Sequence, residues 1–449
     1  MDISWDNYIV RLSVKRNSID LNNPLNNTDI QNVSGTGFFI TKQIILTCYH
    51  VIKYAEFIEI IYKQIDTLSG KILMVFPNDD LALIILDKPV EDAIIIEPYI
   101  ITEKIKNTVY TIGFPMQSET IIITKGIISG YRNSLIQIDA SLNPGNSGGP
   151  SVIFLPENNK WKLIGVNISK NNFGENIGFV QPIYRYLISK KIAIEKSRLK
   201  YFPQIIQKPM WKFKYQIIKQ DLLRDYMFNK IPNYKDNIYY KTNKGVRVSS
   251  INPNNYLTKY LAPEDVILSI NNYLIDINGY IKFDFFPEKI SLKQINLWFS
   301  INDIILVKIL KNSTNSIIDI PITLTYIEPN LFNYIGISNY PKYYIENNNF
   351  IFSIISNTHI ENAEKLDITS SNLFEIINRV NFLKDIFTVY LSALNPKIYT
   401  TSKFNKFPIG KIIIEINDKK FSNYKEFTDI LKTPVKTFKT INNEIFYAE

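Results

Sequence analysis

From residue 35 to residue 180 the apolar residues come in short runs, at 35–40, 43–47, 57–62, 71–76, 81–86, 109–112, 119–124, 126–129, 136–138, 161–168 and 177–180, with turn-forming residues between them. Runs this short suit strands and leave no room for amphipathic helices to alternate with them. The pattern excludes βα units and predicts an all-β barrel or a sandwich pair. A further strand is expected at 8–12, and the Asn- and Asp-rich segment 15–34 reads as a long exposed loop. At 449 residues, 45% of them hydrophobic, the chain has material for several cores, which means two to four domains.

Within this region lies Asp139-Ala140-Ser141-Leu142-Asn143-Pro144-Gly145-Asn146-Ser147-Gly148-Gly149-Pro150. A serine nucleophile needs a neighbouring base and donors for the charge that develops on an attacked carbonyl. Glycines around Ser147 let the backbone turn the N–H groups of Gly145 and Ser147 inward as an oxyanion hole. An ordinary polar turn between strands is the other reading of such a composition, and an upstream histidine and carboxylate separate the two. His50 is one of only two histidines and follows the strand ending at Thr47 and Cys48; His359 lies in an Asn-rich polar stretch and receives no role. Asp80 opens the apolar run 81–86, and a carboxylate at the head of a buried strand needs a partner. Accepting from His50 Nδ1–H, it would fix the tautomer in which Nε2 takes the serine proton. Asp79 and Asp87 are rival carboxylates, both expected to be solvated.

The order His50, Asp80, Ser147 is that of the chymotrypsin-like triad. Gly35-Thr36-Gly37-Phe38-Phe39-Ile40, Leu46-Thr47-Cys48-Tyr49-His50-Val51, Asp80-Leu81-Ala82-Leu83, Ile112-Gly113-Phe114-Pro115, Gly126-Ile127-Ile128-Ser129-Gly130 and Gly145-Asn146-Ser147-Gly148-Gly149-Pro150 together resemble the trypsin-fold proteases of the HtrA/Deg family. The resemblance implies a mainly β protein with two six-stranded barrels, His50 and Asp80 coming from the first and Ser147 from the second, with no cofactor, no metal and no maturation cleavage. It implies an ATP-independent endopeptidase acting on unfolded or damaged proteins through an acyl-enzyme, assembled as a trimer or a multiple of one. Segment 141–145 matches the loop that switches the oxyanion hole on peptide binding. Ser141 stands at the base of the specificity pocket with Leu142 beside it, and Asn167 and Ile168 form another wall. With no carboxylate at the base, the pocket suits small or medium apolar residues. Asp139 reads as a structural tie within the second barrel.

After a short helix at 184–188, Lys190, Lys191, Lys196, Arg198 and Lys200 form a basic connector, which is either a solvated linker face or a contact for nucleic acid or an acidic partner, the solvated face being the usual case. Residues 245–253, 261–271, a helix-like 291–299 and the hairpin 304–310 with 317–324 resemble the PDZ domain of plant-type Deg proteases. The carboxylate-binding loop of that domain would be Met210-Trp211-Lys212-Phe213, which lacks the usual glycine, so the groove is expected to take an internal segment or a neighbouring subunit rather than a free C-terminus. Farther on, 340–345, 350–354, 409–418 and the helix-like 424–431 resemble a connector and a second, degenerate PDZ domain; a generic α+β domain is the alternative. The expected division is 1–200, 201–326 and 327–449.

A net charge of +9 spread along the chain makes a weak case for nucleic acid, and none is expected as a partner. Cys48 is the only cysteine, which excludes an intramolecular disulfide. The opening Met1-Asp2-Ile3-Ser4-Trp5-Asp6 lacks a signal-peptide pattern, and no apolar run reaches membrane-spanning length. The expectation is therefore a soluble cytoplasmic or nuclear protein. The rival to a peptidase is a non-catalytic peptide-binding or chaperone-like scaffold with the same fold.

Overall fold

A computed structural model of the chain describes every residue except 1–3, 18–29, 103–106, 171–176, 189–203, 220, 252–254, 327–343, 348–349, 356–388, 395–410 and 448–449. The basic connector, His359 and the stretches 340–343 and 409–410 lie outside the described residues. The chain divides into two compact units, one of 1–14, 33–52 and 57–327 and the other of 15–32, 53–56 and 328–449.

The first sheet contains Ile9–Asn17 (β1), Ile30–Phe39 (β2), Ile44–Cys48 (β3), Ala55–Tyr62 (β4), Asp66–Leu68 (β5), Gly70–Phe76 (β6) and Leu81–Leu86 (β7). The expected loop at 15–34 is trimmed at both ends, since β1 runs to Asn17 and β2 starts at Ile30. Ladder hydrogen bonds override the weak strand preference of these Asn- and Lys-rich ends. β7 pairs with β3 on one side and β6 on the other, which is why nearly its whole length is apolar and buried.

The second sheet is a closed barrel of Thr108–Gly113 (β8), Ile122–Arg132 (β9), Leu135–Ile138 (β10), Pro150–Leu155 (β11), Lys160–Lys170 (β12) and Gly178–Pro182 (β13), in the order β10-β13-β12-β11-β8-β9. Two of the expected runs, 119–124 and 126–129, merge in the single strand β9, which begins only at Ile122. Asp139 accepts from the Ile127 N–H at 2.6 Å, tying β9 to the turn after β10. Strand β11 is hidden in the sequence by the glycines that precede it and by the proline that opens it. Asn133 and Ser134, at φ 51° and 66°, make the two-residue β9–β10 hairpin turn.

Gln204–Ile205 (β14) returns to the first sheet and runs parallel to β6, giving the order β14-β6-β7-β3-β2-β1-β4-β5. The expected first barrel is thus an eight-stranded sheet extended by a strand from beyond residue 200.

The same compact unit continues through Lys214–Ile217 (β15), Val246–Ser250 (β16), Val266–Ile270 (β17), Tyr273–Leu274 (β18), Tyr280–Ile281 (β19), Ile290–Ser291 (β20), Ile304–Lys311 (β21) and Ser316–Thr323 (β22). Its main sheet has the order β15-β16-β17-β21-β22, with an unforeseen helix, Asp221–Phe228, between β15 and β16. The helix expected at 291–299 is a 3-10 helix, Leu292–Trp298. This region packs on the second barrel through aromatic rings: Tyr184 stacks on Phe285 at 5.2 Å and Tyr131 meets Phe286 edge-on at 5.5 Å. Trp298 Nε1 donates to Ser134 Oγ at 3.3 Å, and that hydroxyl donates to Gln294 at 2.9 Å.

The other unit has its own core, with Phe352, Phe427 and Phe438 at its centre. Its sheet takes the order Tyr344–Asn347, Phe350–Ile354, Val389–Leu394, Ile412–Ile416, Thr437–Thr440, Ile445–Tyr447. Helix Tyr424–Leu431 covers it, capped by Asn423, whose side chain accepts from the Glu426 N–H at 3.0 Å.

Candidate active site

Strand β3 ends at Cys48 and gives way to one helical turn, Tyr49–Ile52, which turns His50 outward while its neighbours Tyr49 and Val51 stay buried. The Pro77–Asp79 turn ahead of β7 delivers Asp80 in a left-handed conformation, φ 52°. The two side chains meet: Asp80 Oδ2 lies 2.6 Å from His50 Nδ1, and Asp80 Oδ1 accepts from the His50 backbone N–H at 2.9 Å. The carboxylate thus grips ring and backbone together. Both side chains remain open to solvent, 44% exposed for His50 and 34% for Asp80.

Ser147 comes from the turn between β10 and β11. Gly148, at φ +86°, permits the close approach: a Cβ there would lie 2.2 Å from the Thr36 carbonyl oxygen, 2.2 Å from Thr47 Oγ1 and 2.9 Å from the Cys48 nitrogen. Gly145, at φ +103°, likewise abuts the Phe114 carbonyl. The Ser147 turn is therefore pressed against the end of β3, two residues from His50. The serine hydroxyl donates to the Ile168 carbonyl at 3.1 Å; among the described residues, no hydrogen bond joins it to His50.

The peptide N–H groups of Gly145 and Ser147 have no acceptor among the described residues. The Pro144 carbonyl is held at 2.6 Å by the Met116 N–H. Because C=O and N–H point in opposite directions across a trans peptide, that bond turns the Gly145 N–H the other way. Segment 141–145, expected to be a switching loop, is fixed here by this bond and by the bond from the Asn146 N–H to the Asn143 carbonyl at 3.0 Å.

The four residues expected around a specificity pocket scatter. Ser141 is exposed, its carbonyl accepting from Thr124 Oγ1 at 3.0 Å. Leu142 turns into the core of the second barrel, beside Ile138 and Val180, because its branched side chain is buried more favourably there than at a pocket rim. Asn167 is fully buried, its side-chain oxygen taken by Ser151 Oγ at 2.5 Å. Ile168 is the one that reaches Ser147, through its carbonyl.

Asp79 corrects a further expectation. It is 2% exposed rather than solvated. Arg185 Nε and Nη2 donate to its Oδ1 at 2.9 and 2.5 Å, and Lys208 Nζ lies 3.2 Å from its Oδ2. Arg185 Nη2 also donates to the Asn78 carbonyl at 3.1 Å, and the Lys208 N–H to Asn78 Oδ1 at 3.2 Å. Burial pushes the Lys208 ammonium pKa down despite the neighbouring carboxylate. A buried carboxylate survives in this position because two cations neutralise it. The sequence held one signal, a single arginine inside the apolar helix at 183–188.

Cys48, His50 and Asp80 bring possible ligand atoms within 4.8 Å of one another. They do not suit a metal ion: His50 and Asp80 are bonded to each other, and burial pushes the Cys48 thiol pKa up, keeping it protonated while it donates to the Asn167 carbonyl.

A model of the trypsin-like peptidase domain matches residues 35–166. Protease Do-like 4, mitochondrial, from Arabidopsis thaliana is 26% identical over 304 residues, covering 64% of this chain and 54% of that protein. Protease Do-like 2, chloroplastic, from the same plant is 30% identical over 192 residues, covering 40% of this chain and 28% of that protein. Among solved structures, the HtrA-type protease AlgW with tripeptide superposes with a TM-score of 0.52 at 19% identity, covering 73% of this chain and 98% of that one, a likeness of fold alone. The chain spans only part of its curated relatives, 54%, 21% and 45% of the first three.

The organelle names overturn the expectation of a cytoplasmic or nuclear protein, since the Do-like relatives include mitochondrial and chloroplastic proteins. A lone cysteine argues only against a disulfide, which leaves any reducing compartment open. Among the described residues, no helix is long and apolar enough to cross a membrane. The stretch that carries His50, Asp80 and Ser147 is thus a trypsin-like peptidase domain, in a chain similar to the Do-like proteases.

Proposed function

We propose that the chain is an ATP-independent serine endopeptidase that cleaves unfolded or damaged proteins. The observation that carries this reading is the double grip of Asp80 on His50 beside the Ser147 turn. With Asp80 accepting from Nδ1–H, His50 Nε2 is free to take the Ser147 hydroxyl proton as Oγ attacks a peptide carbonyl. The tetrahedral oxyanion is then met by the Gly145 and Ser147 N–H groups. His50 returns the proton to the leaving amine, and water attacking the acyl-enzyme repeats the cycle in reverse. Before attack, the serine hydroxyl must leave the Ile168 carbonyl and turn toward His50.

The resemblance, with Ser141 where a carboxylate would select basic side chains, supports cleavage after small or medium apolar residues. The domains of this reading are a peptidase at 1–200, a PDZ domain at 201–326 and a degenerate PDZ-like domain at 327–449, assembled as a trimer or a multiple of one. Burial of Trp211, and the bond from Asn255 Nδ2 to the Lys212 carbonyl at 2.8 Å, support a PDZ groove that does not capture free C-termini.

The Ser147 bond to Ile168 favours one second reading, a non-catalytic peptide-binding scaffold. A fluorophosphonate probe separates the two. The peptidase reading expects labelling of the full chain and its loss in Ser147→Ala; a folded chain that stays unlabelled even with peptide present decides for the scaffold.

A further inference from the structure

Thr36 lies on β2, outside the triad and the oxyanion hole, and is completely buried. Every polar group it has is engaged. Its N–H donates to the Ser147 carbonyl at 2.9 Å and its carbonyl accepts from Thr47 Oγ1 at 2.8 Å. Its hydroxyl donates to the Gly145 carbonyl at 2.7 Å and accepts from the Phe114 N–H at 3.1 Å. One residue of the first sheet thus holds the two residues whose N–H groups form the oxyanion hole, and also holds Phe114, whose own carbonyl abuts Gly145.

We propose that the Thr36 hydroxyl is a positioning group for the oxyanion hole, fixing the Gly145 peptide from across the crevice. The Pro144–Gly145 peptide is pinned at its carbonyl by Met116 N–H, and the next peptide, Gly145–Asn146, is pinned at its carbonyl by Thr36. Between these two anchors the Gly145 N–H has one direction left. Glycine at φ +103° resists rotation very little, so the restraint must come from these hydrogen bonds. Removing the hydroxyl leaves the Gly145 carbonyl and the Phe114 N–H buried without partners, a penalty the loop relieves by turning. Oxyanion donors act only on the transition state, so the effect falls on kcat rather than on substrate binding.

This inference rests on the peptidase reading, and the experiment keeps the two apart. Thr36→Val preserves the side-chain shape without the hydroxyl, and Thr36→Ser preserves the hydroxyl without the methyl. In the full chain, Thr36→Val is expected to lower kcat by about 10- to 100-fold with KM within about threefold, and Thr36→Ser to restore kcat to within about threefold of the parent. A folded Thr36→Val enzyme with kcat within about twofold of the parent overturns the proposal, as does a Thr36→Ser enzyme as slow as Thr36→Val. Should Thr36→Val not fold, Thr36→Ala carries the same comparison; failure of both to fold makes Thr36 structural and also overturns it. If the parent chain neither labels nor cleaves, the peptidase reading fails first. Hydrogen exchange over 113–117 and 141–147 then decides the positioning by itself: faster exchange in Thr36→Val but not in Thr36→Ser supports it, and unchanged exchange overturns it.

Discussion

Two turns carry Asp80 and Ser147, and they are held by opposite means. The Pro77–Asp80 turn, which carries Asp80, is anchored by charge: Arg185 and Lys208 converge on Asp79 in a site closed to water. The 143–148 turn, which carries Ser147, is anchored by neutral hydrogen bonds from Thr36 and Met116 and by glycines at positive φ. The ionic turn is vulnerable to loss of a partner, because a buried charge left alone is costly. The neutral turn is vulnerable to added atoms, because its neighbours lie closer than any Cβ can approach.

The largest expected effect comes from breaking the ionic turn. Asp79→Asn leaves two buried cations facing an amide and should cost about 3–5 kcal/mol of stability, read by denaturant unfolding. A loss below about 1 kcal/mol would show that water reaches the cluster. Gly148→Ala tests the neutral turn. The new methyl meets the Thr36 carbonyl oxygen and Thr47 Oγ1, and the expected cost is about 2–3 kcal/mol together with loss of fluorophosphonate labelling. Retained labelling at parental rate would mean that the turn yields more easily than its packing implies.

The smallest effect sharpens the comparison by its sign. Lys208→Met reduces the cluster to one cation and one anion, and it should leave stability unchanged or raise it by about 1 kcal/mol. Burial lowers the Lys208 pKa in the folded chain, so between that lowered value and its ordinary one the unfolded chain binds the proton more tightly. The lysine's penalty is then full below the folded-state pKa and fades as pH rises toward the unfolded value. Stability should therefore climb with pH across that window in the parent, and the climb should vanish in Lys208→Met. An identical slope in both proteins would remove Lys208 as its source.

The same cluster links distant parts of the chain. From β14, which extends the first sheet, the chain passes Lys208 at the Asp79 site and reaches Met210, whose N–H donates to the Thr325 carbonyl at 2.8 Å. A few residues thus run from the turn carrying Asp80 to the sheet after the second barrel. No local pattern announces this, since a two-residue strand is too short to show a period and Gln204 is not a strand-forming type.

By itself the sequence determined the class of fold, through the short runs that become β3, β6, β7 and the barrel strands. It also marked the candidates for the proposed chemistry: one histidine after an apolar strand, one aspartate at the head of another, and a serine among glycines, of which the structure joins the first two. Those features are local, because strand alternation, turn preference and glycine's freedom act over a few neighbouring residues. Only the tertiary structure decided what surrounds them. Asp79 and Asp80 are adjacent and chemically identical, yet one meets Arg185 from 106 residues away in the dry interior and the other faces His50 in the open. Leu142 went to the barrel core and Thr36 to the Gly145 turn for the same reason: the environment of a side chain is set by segments remote in sequence, and burial and hydrogen bonding respond to that environment rather than to the residue type.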